Sequence, residues 1–280
     1  MRMLTTLLEG LHFPEGPRWQ DGKLYFSDMH GDRVIAAGLD GRASVVCEVP
    51  NWPSGLGWLP DGRMLVVSMT DRKLMRMDPN GLKVHADLST LAPFHCNDMV
   101  VDGKGRAYVG NFGFDNHAQQ TPRPTVLIMV TPDGVARAVA GDLLFPNGTV
   151  ITPDGRTLIV AETFGRRLTA FDIAPDGSLA NRRLWADLGG NFPDGIALDA
   201  EGAIWAACPT RSEVIRVKQG GEVTETIKVA TDAFACILGG PGRKTLFVLT
   251  AATSGPERCR VETTGRIEFT QVDVAGAGWP

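Results

Sequence analysis

The chain has 280 residues, 43% of them hydrophobic, and a net charge of −4. That is enough apolar material for a large core, and the mild acidity without a basic stripe argues against a nucleic-acid partner. No apolar run approaches the roughly 18–20 residues that cross a bilayer, so no membrane partner is expected either. The opening stretch reaches an acid at Glu9 after very few apolar residues, unlike a secretory signal. The five cysteines are odd in number and lack C-x-x-C spacing, which speaks against a disulfide framework or a zinc knuckle. A reducing, cytoplasmic setting is the simplest expectation.

Along the chain one phrase recurs six times: a small or proline residue, a variable slot, a glycine or turn residue, an apolar pair, a turn, and a β-rich run. The copies begin at Pro14-Glu15-Gly16, Pro53-Ser54-Gly55, Cys96-Asn97-Asp98, Pro146-Asn147-Gly148 and Pro193-Asp194-Gly195, with a degenerate sixth at Ala235-Cys236-Ile237. Successive slots lie 54−15 = 39, 97−54 = 43, 147−97 = 50, 194−147 = 47 and 236−194 = 42 residues apart. A period of about 40–50 residues fits four-stranded propeller blades. Asp-Gly pairs at 21–22, 40–41, 61–62, 133–134, 154–155 and 176–177 mark hairpins between the strands. Arg33–Ala36, Lys73–Met77, Arg167–Phe171 and Glu213–Val217 read as third strands. No segment sustains a 3.6-residue apolar period, so almost no helix is expected. The expected fold is all-β, a single six-bladed propeller of four-stranded antiparallel blades over residues 1–280. One stretch breaks the rhythm, Asn111 to Pro124, and reads as a cover or wall for a substrate.

Ring closure would carry all six slots to equivalent places, and four of them hold oxygen donors: Glu15, Asn97, Asn147 and Asp194. Glu15, Asn147 and Asp194 each follow a Phe-Pro pair and precede a glycine, with Phe13, Phe145 and Phe192 expected to pack beneath them. Two carboxylates in one confined mouth repel, and no slot holds a lysine or arginine to relieve them. A divalent cation would. All-oxygen donors favour Ca²⁺, Mg²⁺ or Mn²⁺ over a structural zinc. Taken singly, Asp and Asn in such turns also serve as hairpin caps. There is no G-x-S-x-G elbow, and the Gly239–Gly242 cluster lacks the ending of a phosphate-binding loop.

The chain resembles the SMP-30/gluconolactonase/luciferin-regenerating family over essentially its whole length. The resemblance is carried by Pro14-Glu15-Gly16-Pro17-Arg18-Trp19, Asn97-Asp98, Phe145-Pro146-Asn147-Gly148, Ala161-Glu162-Thr163 and Pro193-Asp194-Gly195-Ile196-Ala197. It implies a metal-dependent hydrolase of lactones or related esters, with one divalent ion, Ca²⁺ ahead of Zn²⁺, Mn²⁺ or Mg²⁺, held by Glu15, Asn147 and Asp194. It further implies that Asp194 is the general base and that Asn97 contacts substrate beside the metal. An arylesterase or phosphotriesterase-like activity, or a propeller that binds a ligand without turnover, are the alternatives. One departure stands out: where sugar-lactone members often carry arginine, two residues before the third slot, this chain has His95. His95 is a candidate substrate-binding residue, and an imidazole in place of a five-donor cation puts sugar specificity in question. His12, His30, His85 and His117 show no partner pattern and read as structural or surface residues.

Overall fold

The repeated β-runs do become strands. In the computed structural model, which describes residues 2–280, twenty-four strands form six four-stranded antiparallel sheets. Five sheets are meanders of consecutive strands; the Asp-Gly turns read from the sequence join first to second strands at 21–22, 61–62 and 154–155, and third to fourth strands at 40–41, 133–134 and 176–177. At Asp21-Gly22 both residues take positive φ (48° and 76°), the geometry that lets a two-residue turn match the twist of the flanking strands.

The innermost strands run Pro14–Gln20, Pro53–Trp58, Cys96–Val101, Pro146–Ile151, Ile196–Leu198 and Asp232–Gly239, and each lies against its two neighbours in a closed ring. The glycine after a slot makes this approach possible. A Cβ on Gly16 would meet the Ser54 carbonyl oxygen at 2.6 Å, and one on Gly195 would meet Ala235 at 2.7 Å. These glycines are therefore fixed by contact between blades as well as by local turn chemistry.

Two features escaped the sequence reading. The sixth sheet is built from both ends of the chain: Thr5–Leu11 pairs antiparallel with Gly265–Gln271 and supplies its outermost strand. This completes the sixth four-stranded blade and closes the ring. The second feature is a seven-residue α-helix, Pro256–Glu262, inserted in that blade before its third strand. Two turns with one buried residue, Cys259, are too short to show an apolar period, so only Pro256 at its first turn hints at it. Among the described residues no helix is long and apolar enough to cross a membrane.

Candidate active site

Four of the slots meet. Glu15, Asn97, Asn147 and Asp194 line one cavity of about 260 Å³ at the starting ends of the inner strands. Ser54 and Cys236, in the remaining slots, are buried and do not line it. The Cys236 thiol lies within bonding distance of the Gly195 and Trp205 carbonyls.

Three of the four donors, Glu15, Asn147 and Asp194, are set by local devices. The peptide N–H groups of His12 and Phe13 donate to Asp28 Oδ1 at 2.8 and 3.0 Å, and Arg33 caps Oδ2 at 2.8 Å. This fixes the approach to Pro14-Glu15. The same construction recurs three blades on, where Leu144 N–H donates to Glu162 Oε2 at 2.9 Å and Arg167 caps that carboxylate at 2.9 Å, ahead of Pro146-Asn147. Both acids are fully buried and sit at the end of a second strand, with the arginine five residues later.

Asp194 is positioned differently. It lies just before its strand, and together with Gly195 its backbone reaches three blades: its N–H donates to Ala207 O at 2.9 Å and its carbonyl accepts from Gly148 N–H at 3.2 Å. The Gly195 N–H donates to Phe234 O at 2.8 Å.

The two amides differ as well. The Thr163 hydroxyl donates to the Pro193 carbonyl at 2.8 Å, so toward Asn147, 3.2 Å away, it can only accept. That orients Nδ2 of Asn147 to Thr163 and leaves its Oδ1 as the available donor atom for a ligand. Asn97 is buried, and its Nδ2 has no hydrogen-bond partner.

The electrostatics are unbalanced. Burial first, and then the Asp194 charge, pushes the Glu15 carboxyl well above its usual range, while the Gly16 N–H, 2.9 Å from Oε2, pulls it back. Burial likewise raises Asp194 to about 8, against the pull of the Asn147 amide and with the Asp98 charge adding to the rise. No lysine or arginine lines the cavity. Two carboxylates pushed toward neutrality, with an amide oxygen turned outward, suit a hard dication, which would return both acids to their charged forms. Among the described residues no three His, Cys, Asp or Glu side chains gather to hold a metal; the set here is two carboxylates and two amides.

Phe13, Phe145 and Phe192 line the cavity wall where packing beneath the slots was expected. His95 does not line the cavity. Its ring stacks on Phe94 at 4.0 Å between centroids, its carbonyl accepts from Phe112 N–H at 2.9 Å, and burial lowers its imidazole to about 4. The histidines that do line the cavity are His30 and His117, neither singled out from the sequence. His117 arrives on the 111–124 stretch, which also supplies Phe112 and Asn116 to the wall. Thr163 and the acid–arginine pairs 28/33 and 162/167 were also missed. The spacing of five residues after a strand-ending acid was the one signal that marked the pairs.

The fold and site together define a six-bladed propeller with an acid-and-amide cavity at one end of its axis. The chain belongs to the SMP-30/Gluconolactonase/LRE-like family, whose model matches residues 13–252. It is 30% identical to a regucalcin of Xenopus laevis, over 94% of this chain and 92% of that one. It is 27% identical to a 6-deoxy-6-sulfogluconolactonase of Pseudomonas putida, over 66% of this chain and 64% of the relative. Among solved structures it superposes on a Xanthomonas campestris protein described as a gluconolactonase, with TM-score 0.76, 25% identity, and coverage of 96% and 89%.

Proposed function

We propose that this protein hydrolyses lactones with the help of one divalent cation, Ca²⁺ in first place, held by Glu15, Asn147 and Asp194. One observation carries the reading: ring closure brings two mutually repelling carboxylates to one cavity with two amides and no cationic side chain. The relatives named as lactonases support the reaction class, and those named regucalcin, one described as calcium-binding, support the ion.

When bound, the cation would polarise the lactone carbonyl and offset the negative charge that grows on its oxygen. Asp194 takes a proton from the attacking water as the new C–O bond forms at the carbonyl carbon. The ring C–O bond then breaks, the proton passes to the departing ring oxygen, and a hydroxy acid leaves. Asn97 orients the substrate beside the acids, and Asn147 offers Oδ1 because Thr163 holds its Nδ2. Proton release from a panel of lactones, followed with Ca²⁺, Mn²⁺, Zn²⁺ or EDTA present, tests the reading. Turnover that requires a divalent ion is expected; binding of the ion without turnover of any lactone or ester would make this a binding propeller instead.

A further inference from the structure

The walls of the cavity are largely apolar. Six phenylalanines and two methionines line it, from five different blades and the 111–124 stretch. The rings form a continuous arc: Phe112 stacks on Phe145 at 4.2 Å, Phe145 meets Phe164 edge-on at 5.3 Å, and Phe164 meets Phe192 at 6.1 Å. Phe114 closes the arc from behind, 5.8 Å from Phe145, and Arg166 sits 4.5 Å over the far face of Phe192. Such a wall is preformed, with each ring held by its neighbours.

The polar groups are few and largely committed. Thr163 is used by Asn147 and Pro193, and Nε2 of His30 is tied to the Ser254 carbonyl at 3.3 Å while its buried Nδ1 has no partner. Burial pushes His30 down to about 4 and lowers His117 as well, which favours the neutral imidazole in both. Away from the acid-and-amide set, Asn116, His117, Thr210 and Ser254 are the side chains left to meet a hydroxyl.

Each sugar hydroxyl buried against a phenyl ring without a partner loses its hydrogen bonds to water, a penalty of about 1–3 kcal/mol. An alkyl or aryl group on the same ring gains burial instead. Building on the lactonase reading above, we propose that this site takes small lactones bearing an alkyl or aryl substituent in preference to polyhydroxylated sugar lactones. The arc Phe112–Phe145–Phe164–Phe192 sets that preference.

The test is a matched pair: a six-membered lactone with a propyl group beside the ring oxygen, and the fully hydroxylated six-membered sugar lactone. The kcat/KM of each, with Ca²⁺ present, is divided by its rate of spontaneous hydrolysis. A ratio at least about tenfold in favour of the alkyl lactone is expected from one unpaired hydroxyl. Equal ratios, or one favouring the sugar, would overturn the proposal while leaving the lactonase reading in place. Turnover of neither removes both.

Phe164→Asn puts an amide into the arc at a half-buried position, and the preference should shrink about tenfold as that amide meets a hydroxyl. Phe192→Leu, which keeps the wall apolar, should preserve it. A preference unmoved by Phe164→Asn, or lost in Phe192→Leu, would take the arc out of the argument.

Discussion

The two ends of the inner strands treat charge in opposite ways. At the starting end Glu15 and Asp194 share a cavity without a cation, and each is pushed toward its neutral form. At the finishing end the buried acids are paired. Partway along the strands Arg18 already binds Asp98 at 2.7 Å, with further bonds to the carbonyls of Pro17 at 2.7 Å, Leu56 at 2.9 Å and Met99. Arg106 Nε donates to Asp102 at 2.7 Å, and Arg216 Nε donates to Asp199 at 2.7 Å. The residues after Asp273 then run beneath blades 6, 5 and 4, where Ala277 bonds Leu198 and Trp279 exchanges two bonds with Ile151, each at 2.9 Å. One end is completed by its own side chains, and the other is left short of positive charge. That asymmetry separates a structural buried charge from a functional one.

Four measurements would break or sharpen the contrast. The largest effect belongs to Asp194→Asn, which keeps an oxygen donor and removes the base; kcat should fall by about 10²–10⁴ with much of the metal affinity retained. Unchanged kcat would take the base role from Asp194. Next is Arg18→Met. Stranding Asp98 in the core should lower stability by about 3–5 kcal/mol in denaturant unfolding, with much of it returned by a second change, Asp98→Leu. A loss below about 1 kcal/mol would mean that the pair is not what holds these three blades together.

Third is the pH dependence. In the metal-free protein the native state holds a proton on Asp194 up to about 8, whereas the unfolded chain releases it near 3.8. The native state therefore binds more protons across that window, and stability falls as pH rises through it. A dication removes the penalty, so its gain in Tm should be larger at pH 8 than at pH 5. At a concentration 100 times its Kd the gain amounts to about 2.7 kcal/mol. Equal gains at both pH values would show that these acids do not hold the ion.

Much of the fold was legible because it repeats. Six copies of a slot-and-turn phrase state a blade period, and each Asp-Gly pair states a hairpin independently of the others. The meeting of Glu15, Asn97, Asn147 and Asp194 followed from ring geometry alone. What repeats only once was not legible. The pairing of Thr5–Leu11 with Gly265–Gln271 joins the two ends of the chain, and neither strand announces its partner. His30 and His117 differ from His95 only in where loops carry them, so residue type gave no way to rank the three. The Arg18–Asp98 bond spans 80 residues and lies inside two motifs that drew attention for their neighbours Glu15 and Asn97.

The smallest expected effect concerns orientation. The open end lacks positive charge, yet its amide is not free to turn: Thr163 donates to Pro193 and so can only accept from Asn147. Thr163→Val keeps the shape and removes that acceptor, leaving only the Asp194 carboxylate to hold Nδ2 of Asn147 against exchange with Oδ1. An exchanged amide would present N–H groups to a cation, so metal affinity should fall about 10–100-fold, as for other residues that orient a ligand from behind. Thr163→Ser should restore most of it, and the denaturant midpoint should move little in either variant. Calorimetric titration with Ca²⁺ reads the affinity directly, apart from turnover. If Thr163→Val binds the ion as tightly as the unaltered protein, Asn147 either needs no help to face it or does not face it at all. An Asn147→Ala variant of unchanged affinity would establish the second.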